Sequence, residues 1–337
     1  MNPAPVVPLT ARFEAALEPI LARAEVLPRD HHRRFDRKDL VRCAVTEAAR
    51  LVERPEVAAW TVATPEGAGV AAWQPLPWDT EMLGVPAGRI PLLAVAAPRG
   101  EPRLEIARRL VGEALERIRA ADAAYVGVRV DARDIELVQA LEEAGFALVD
   151  GILRFAREAT AGERPPHRPQ GVRIREARSA DALPLRRIAE AGFVYDRFHN
   201  DPIVPAEVAD RLHGVWIENG VAGTVGCGVL VAEAAGEPAG FFLLAEDATA
   251  ARGLGTGIGT LVLISVDSRF RRRGIARALT EASVQHLAGR GNAIAEVGTQ
   301  VANLPASSVY LAAGFRLVRT SVSLRWWDRR RRPGAGR

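Results

Sequence analysis

The chain has 337 residues, 48% of them hydrophobic and 26% charged, with a net charge of +4. That composition excludes an intrinsically disordered chain, a collagen-like one and a small disulfide scaffold, and the length suits two domains of about 100–200 residues each. Cys43 and Cys227 stand far apart and form no C-x-x-C pair, so neither an oxidising compartment nor a cysteine zinc site is called for. Residues 1–30 mix acidic and basic charges without an apolar stretch, so no secretory leader is expected. No uncharged apolar run nears the ~18 residues of a membrane span, and the cytoplasm is the expected address. Positive charge gathers at one end: from Leu324 onward six arginines (Arg325, Arg329, Arg330, Arg331, Arg332 and Arg337) face Asp328 alone. A nucleic-acid-binding domain spreads basic charge over a face, so nucleic acid is not an expected partner and 328–337 reads as a disordered, solvated tail.

In chain order, residues 9–25 form an amphipathic helix with Leu9, Phe13, Leu17, Ile20 and Leu21 on one side. Short apolar runs follow at 57–63, 68–74 and 90–96. A helix over 103–120 leads to a strand at Tyr125–Val130, a helix at 134–144 and a strand from Phe146. Residues 159–171 are polar and proline-rich and read as a linker. Beyond them come a strand at 172–177, helices at 180–191 and 206–219, strands at 225–233, 238–245 and 259–266, a helix at 274–289, a strand at 292–299, a helix at 305–313 and strands from Phe315 to Trp327. Strands alternating with helices in both halves predict an α/β protein.

The halves also rhyme. Leu141 through Gly145-Phe146 matches Tyr310 through Gly314-Phe315, each reading as a helix closed by glycine and followed by an aromatic that opens a strand. The strongest chemical signal lies in the second half, where the strand ending at Val266 runs through Arg269, Arg271, Arg272 and Arg273 into Gly274-Ile275-Ala276. Small residues let a ligand approach the backbone, and the unpaired amides and dipole of a helix start favour an anion. The segment therefore predicts a phosphate or pyrophosphate site. Some 30 residues on, Thr299-Gln300 leaves a strand and Asn303 opens a helix that carries Tyr310. Other motifs fail: the alternating glycines at 253–259 precede a strand rather than opening a helix, no G-x-x-x-x-G-K-[ST] occurs, and His31-His32 are adjacent, too close to share a helical metal face.

Arg271-x-x-Gly274-x-Ala276 followed by Asn303, Tyr310 and Gly314-Phe315 resembles the GNAT acetyltransferase superfamily. Residues 78–327 resemble more specifically the dTDP-fucosamine acetyltransferases, which act on a nucleotide-linked amino sugar; this rests on Trp78-Asp79, Leu83-Gly84-Val85, Leu148-Val149 with Gly151, Arg197-Phe198, Trp216 through Asn219 and Thr299-Gln300. The resemblance implies a GNAT fold, a mixed, mostly antiparallel sheet flanked by helices, preceded by a reduced GNAT-like half. It divides the chain into a degenerate domain over 1–158, the linker, a catalytic domain over 172–327 and the tail. Residues 1–55 and the glycine-rich 253–259 have no counterpart in it.

By the same resemblance the chain is an acetyl-CoA-dependent N-acetyltransferase. Arg271, Arg272, Gly274, Ile275 and Ala276 would hold the pyrophosphate, the backbone around Ile264 and Val266 the pantetheine arm, and Asn303 would complete the donor site. Tyr310 would be the general acid; the first half has Leu141 there and should be catalytically empty. Trp78, Asp79, His199, Asp201, Glu218 and Thr299 are candidates on the acceptor side, with Glu296 or water as further candidate bases, and no metal is expected. The alternatives are another small amine or a peptide amine as acceptor, or a non-catalytic acyl-CoA sensor whose arginine tail binds nucleic acid; a homodimer stays open.

Overall fold

The computed structural model of the protein describes residues 7–8, 13–160, 167 and 169–331. The chain divides into two compact units, one of residues 1–151 with 320–337, the other of residues 152–319.

The first unit contains β1 (Val7–Pro8), α1 (Phe13–Arg23), α2 (Arg37–Val52), β2 (Ala58–Thr64), β3 (Gly67–Pro75), α3 (Pro77–Leu83), β4 (Ala87–Ala96), α4 (Glu101–Ala120), β5 (Tyr125–Asp131) and α5 (Ile135–Glu143). The second contains β7 (Val172–Glu176), α6 (Ala182–Glu190), α7 (Ala206–Val221), β8 (Gly228–Ala234), β9 (Glu237–Glu246), α8 (Ala248–Leu254), β10 (Gly257–Val266), α9 (Ile275–Gly289), β11 (Asn292–Gln300) and α10 (Leu304–Ala312). Two long strands, β6 (Ala147–Glu158) and β12 (Arg316–Trp327), are traded between them. Ile152–Glu158 of β6 pairs antiparallel with Ile294–Gln300, and Ser321–Trp327 of β12 pairs antiparallel with Tyr125–Asp131. The first unit's sheet thus runs β1-β2-β3-β4-β5-β12 and the second's β6-β11-β10-β9-β8-β7. Sequence order put the strand after Phe146 with the first half and the one after Phe315 with the second; the pairing gives most of each to the other unit, because both open sheet edges are satisfied that way.

Each sheet is mixed and mostly antiparallel, with one parallel pair, β4–β5 in the first and β10–β11 in the second. In the second unit β8 and β9 are apolar at successive positions because both faces are covered. Val229, Val231, Phe241 and Leu243 face Leu185, Ile188 and Ile217 of α6 and α7. Leu230, Phe242 and Leu244 lie in the cluster with Leu279 and Leu287 of α9 and Tyr310 of α10. In the first unit Ile106, Leu110 and Leu137 of α4 and α5 pack with Trp60, Val62, Val126 and Leu324.

Three helices were not expected: α2, α3 and α8. The glycine-rich run is divided among elements. Gly255 caps α8 in the left-handed region, Gly257 and Gly259 lie inside β10, and a Cβ on Gly259 would come within 2.7 Å of Leu287. Part of the predicted tail is ordered: Arg330 pairs with Asp328 at 2.8 Å and Arg331 with Asp122. Residues 332–337, and 161–166 and 168 of the linker, lie outside the described residues. Among the described residues no helix is long and apolar enough to cross a membrane.

Candidate active site

The parallel pairing of β10 with β11 runs from Gly257 only to Leu261 opposite Val297. β10 continues to Val266 along β9, with Ile264 opposite Phe242 and Val266 opposite Gly240, while Gly298–Gln300 follow β6. The two strands therefore separate, and the edge of Val262–Val266 turned toward β11 has no strand partner among the described residues. Ile264 and Val266, half-buried, pack against the apolar cluster that holds Phe270, Ile275 and Tyr310.

The cleft leads to a basic turn. Asp267 accepts the Arg269 amide at 2.9 Å and pairs with its guanidinium at 2.7 Å, so Arg269 is largely neutralised, with Glu237 at 3.1 Å as well. Arg271 donates to the Val266 carbonyl at 3.0 Å. Arg272, exposed and without an ion pair among the described residues, holds φ +60°, and Gly274 holds φ +76°. Left-handed backbone is uncommon for a non-glycine residue and gathers at functional turns. The turn delivers α9 with the amides of Ile275–Arg277 lacking intrahelical acceptors, and Ala276 keeps a small side chain there.

One residue at this turn was not anticipated. A Cβ on Gly274 would fall 2.5 Å from His167 Nε2 and 3.6 Å from Pro169. The linker is tied there by the His167 amide donating to Glu281, itself paired with Arg277 at 2.8 Å.

Across the cleft Asn303 caps α10, its Oδ1 accepting the Ala306 amide at 3.2 Å. Tyr310 is buried, its ring 5.9 Å from Phe155 and 6.1 Å from Phe315, with no hydrogen bond to its hydroxyl among the described residues. Burial alone pushes its pKa well above the ordinary tyrosine value, so the hydroxyl is a neutral acid.

The acceptor-side candidates scatter. Trp78 and Asp79 lie at the start of α3 in the first unit. Thr299 is buried on β11. Glu218 pairs with Arg186 at 3.1 Å, Asp201 is buried and accepts the Ile203 amide at 3.2 Å, and Glu296 pairs with Arg154 at 2.8 Å. His199 is engaged at both nitrogens, Nδ1 with Asp196 and Nε2 with Asp210 at 2.9 Å. Burial opposes its charge, yet these carboxylates prevail and raise its pKa. His213, missed in the sequence, stacks on Phe193 at 4.3 Å and is held neutral by burial.

The corresponding turn of the first unit is built differently. Its parallel pairing also ends early, at Ile90 opposite Val128, and Gly100, at φ +89°, precedes α4. Here the Gly100 amide donates to Glu136 at 3.0 Å, and Arg103 is bound by Asp134 at 2.7 Å and the Val95 carbonyl at 2.8 Å. The protein's own carboxylate fills the position an anion would take.

Separated parallel strands opening onto a glycine-led helix, with one sheet of this kind in each unit, decide the architecture. The fold is that of the GNAT acetyltransferases. Residues 194–315 match the family model described as the Acetyltransferase (GNAT) family. The solved GNAT structures it resembles include a tandem GNAT protein from the clavulanic acid biosynthesis pathway, TM-score 0.58 and 18% identity over 96% of this chain and 98% of that one. Another is a GCN5-related N-acetyltransferase from Sphaerobacter thermophilus, TM-score 0.60 and 17% identity over 97% and 96%. Two curated relatives are mycothiol acetyltransferases. That of Nocardioides sp. (strain ATCC BAA-499 / JS614) is 29% identical over 44% of this chain and 50% of its own, and that of Streptomyces bingchenggensis (strain BCW-1) is 26% identical over 50% of each. The chain thus spans about half the length of the curated relatives it matches.

Proposed function

We propose that the protein is an acetyl-CoA-dependent N-acetyltransferase for the amine of a small molecule, with its donor site in the second unit. The observation that carries this reading is the early end of the β10–β11 pairing, which leaves a strand edge leading straight to the Gly274 turn. The residues fit the donor. The free edge around Ile264 and Val266 suits the amides of a pantetheine arm, and Gly274, Ile275, Ala276, Arg271 and Arg272 offer amides and charge to a pyrophosphate. Acetyl-CoA would supply the acetyl group as a thioester.

Backbone N–H groups on the free edge of β10 are available to the thioester carbonyl as charge develops on its oxygen. Tyr310 gives its hydroxyl proton to the departing sulfur and recovers it from solvent. Asn303 shapes the start of α10 and so sets where Tyr310 stands. His199, Asp201, Glu218 and Glu296 are committed to protein partners, which favours loss of the ammonium proton to water before the amine attacks.

For the acceptor, the resemblance at Trp78-Asp79 and Trp216 through Asn219 supports a dTDP-linked amino sugar, and the names of the curated relatives support the acceptor of a mycothiol acetyltransferase as second reading. Release of CoA thiol from acetyl-CoA across a panel of both, with plain amines and peptides alongside, tests the proposal. Turnover confined to one small-molecule class is expected; donor binding without turnover on any amine overturns the catalytic reading in favour of a sensor.

A further inference from the structure

The connection between α6 and α7 and the first half of α7 carry a repeated tetrad that the acetyl-transfer chemistry does not use: Asp196-Arg197-Phe198-His199 in the connection and Asp210-Arg211-Leu212-His213 in the helix. The fold brings the two together. Asp196 Oδ2, His199 Nδ1 and His213 Nε2 converge, all within 4.8 Å of one another, and the three side chains are about nine-tenths buried. His213 Nε2 lies 3.7 Å from Asp196 Oδ2, too far for a hydrogen bond. Two donors each about 2.0–2.1 Å from one zinc ion at the tetrahedral angle stand about 3.4 Å apart, so the closer hydrogen bond between Asp196 Oδ2 and His199 Nδ1 is one that an entering ion replaces, displacing its proton.

The outward atoms are what distinguish this cluster from a simple polar network. His199 Nε2 is held by Asp210 Oδ1 at 2.9 Å, and His213 Nδ1 donates to the Ala209 carbonyl at 2.8 Å. Asp196 Oδ1 accepts the Phe198 amide at 2.9 Å. Each inward-facing atom thus belongs to a group whose other end is fixed by protein, with one histidine turned by a carboxylate and the other by a backbone carbonyl. That outer arrangement orients metal-binding histidines and sets which nitrogen offers its lone pair. The ring of His213 is further locked between Phe193 at 4.3 Å and His199 at 5.7 Å.

We infer that Asp196, His199 and His213 form a three-ligand site for a divalent cation of the zinc class, with Asp210 orienting His199. Two imidazoles and one carboxylate suit zinc and its neighbours rather than magnesium or calcium, and three protein donors leave a fourth position for water or a ligand. The inference stands independently of the acetyl-transfer proposal.

The test is titration of the tag-free, chelator-treated full chain with Co2+, followed through its visible d–d absorption, and displacement by Zn2+. One saturable equivalent is expected, with an upward shift in the unfolding temperature. Asp196→Asn and His213→Gln should each weaken binding by about 10-fold or more, while replacing His31 and His32 together should leave it unchanged. Absence of saturable uptake below 1 mM, or unaltered affinity in a natively folded Asp196→Asn or His213→Gln protein, overturns the site and leaves a hydrogen-bonded His199 between two aspartates. Should both variants fail to fold, zinc-edge X-ray absorption of the wild-type chain decides: two imidazole ligands support the assignment, and one or none refutes it.

Discussion

His167 stands over Gly274, so close that a methyl group in place of the glycine hydrogen would lie 2.5 Å from its Nε2. A linker side chain is therefore part of the turn proposed to hold the donor's phosphates. Gly274→Ala meets two obstacles, a left-handed backbone that disfavours alanine by about 1 kcal/mol and this imidazole. The KM for acetyl-CoA should rise at least tenfold and the unfolding temperature fall by about 2–4 °C, measurable by steady-state kinetics beside thermal melts. An unchanged KM would place the donor elsewhere.

Arg272, exposed and unpaired among the described residues, is expected to act on donor affinity alone. Arg272→Ala should weaken CoA binding several-fold and flatten its dependence on salt, because a charge-assisted contact to phosphate is screened. Isothermal titration at low and high ionic strength reads both effects. Dephosphorylated and intact CoA losing affinity equally would assign the arginine to the pyrophosphate.

Tyr310→Phe keeps a ring of the same shape between Phe155 and Phe315 and deletes the proton. The kcat should fall by about 10²- to 10⁴-fold while CoA affinity stays within a factor of two. Unimpaired turnover would make Tyr310 a packing residue.

The same burial has a consequence for pH. Tyrosine ordinarily titrates near 10, and Tyr310 is shifted above that value by desolvation of its anion. Its protonated, acid form therefore persists as pH rises to 10, and kcat at saturating substrates should show no loss between about pH 8 and 10 that belongs to this residue. A decline centred below 10 in the wild type and absent from Tyr310→Phe would contradict the assignment.

In the first unit Arg103 and Asp134 form a bidentate pair, 2% and 6% exposed at their side chains. Arg103→Met leaves the buried Asp134 without its cation and Glu136 with only Arg99, 3.9 Å away, at a cost of about 3–5 kcal/mol. Urea unfolding should show the loss, and acetyl-CoA affinity should not change, because this turn is closed to a phosphate by Glu136.

Much of the second unit could be read from its residues. A mostly apolar run at Leu261–Val266 followed by arginines and small residues at Gly274 and Ala276 marks a strand, a phosphate turn and a helix start through local chemistry alone. Asn303 and Tyr310 were legible for the same reason, since capping and helical spacing are local. The α2 helix was not, because Leu40, Val41, Ala44 and Ala48 are diluted by charged residues. The D-R-x-H repeat lay in plain view, but nothing in sequence says that residues 14 positions apart meet; the turn between α6 and α7 decides that. His167 was invisible for a related reason: its role comes from where the linker is tied, at Glu281. The traded strands were the least legible, because β6 and β12 each follow a helix and a glycine as any next strand would, and pairing with a distant partner leaves no local trace.

That trade of strands bears on how the polypeptide is made. A ribosome releases β5 long before β12, with about 190 residues between Asp131 and Ser321, or about 10–40 s of translation. Throughout that interval the Tyr125–Asp131 edge waits for the segment that closes it, so the nascent first unit remains unfinished until the second has been synthesised. A gene divided at the linker would therefore yield two incomplete products, each lacking a strand that its counterpart carries.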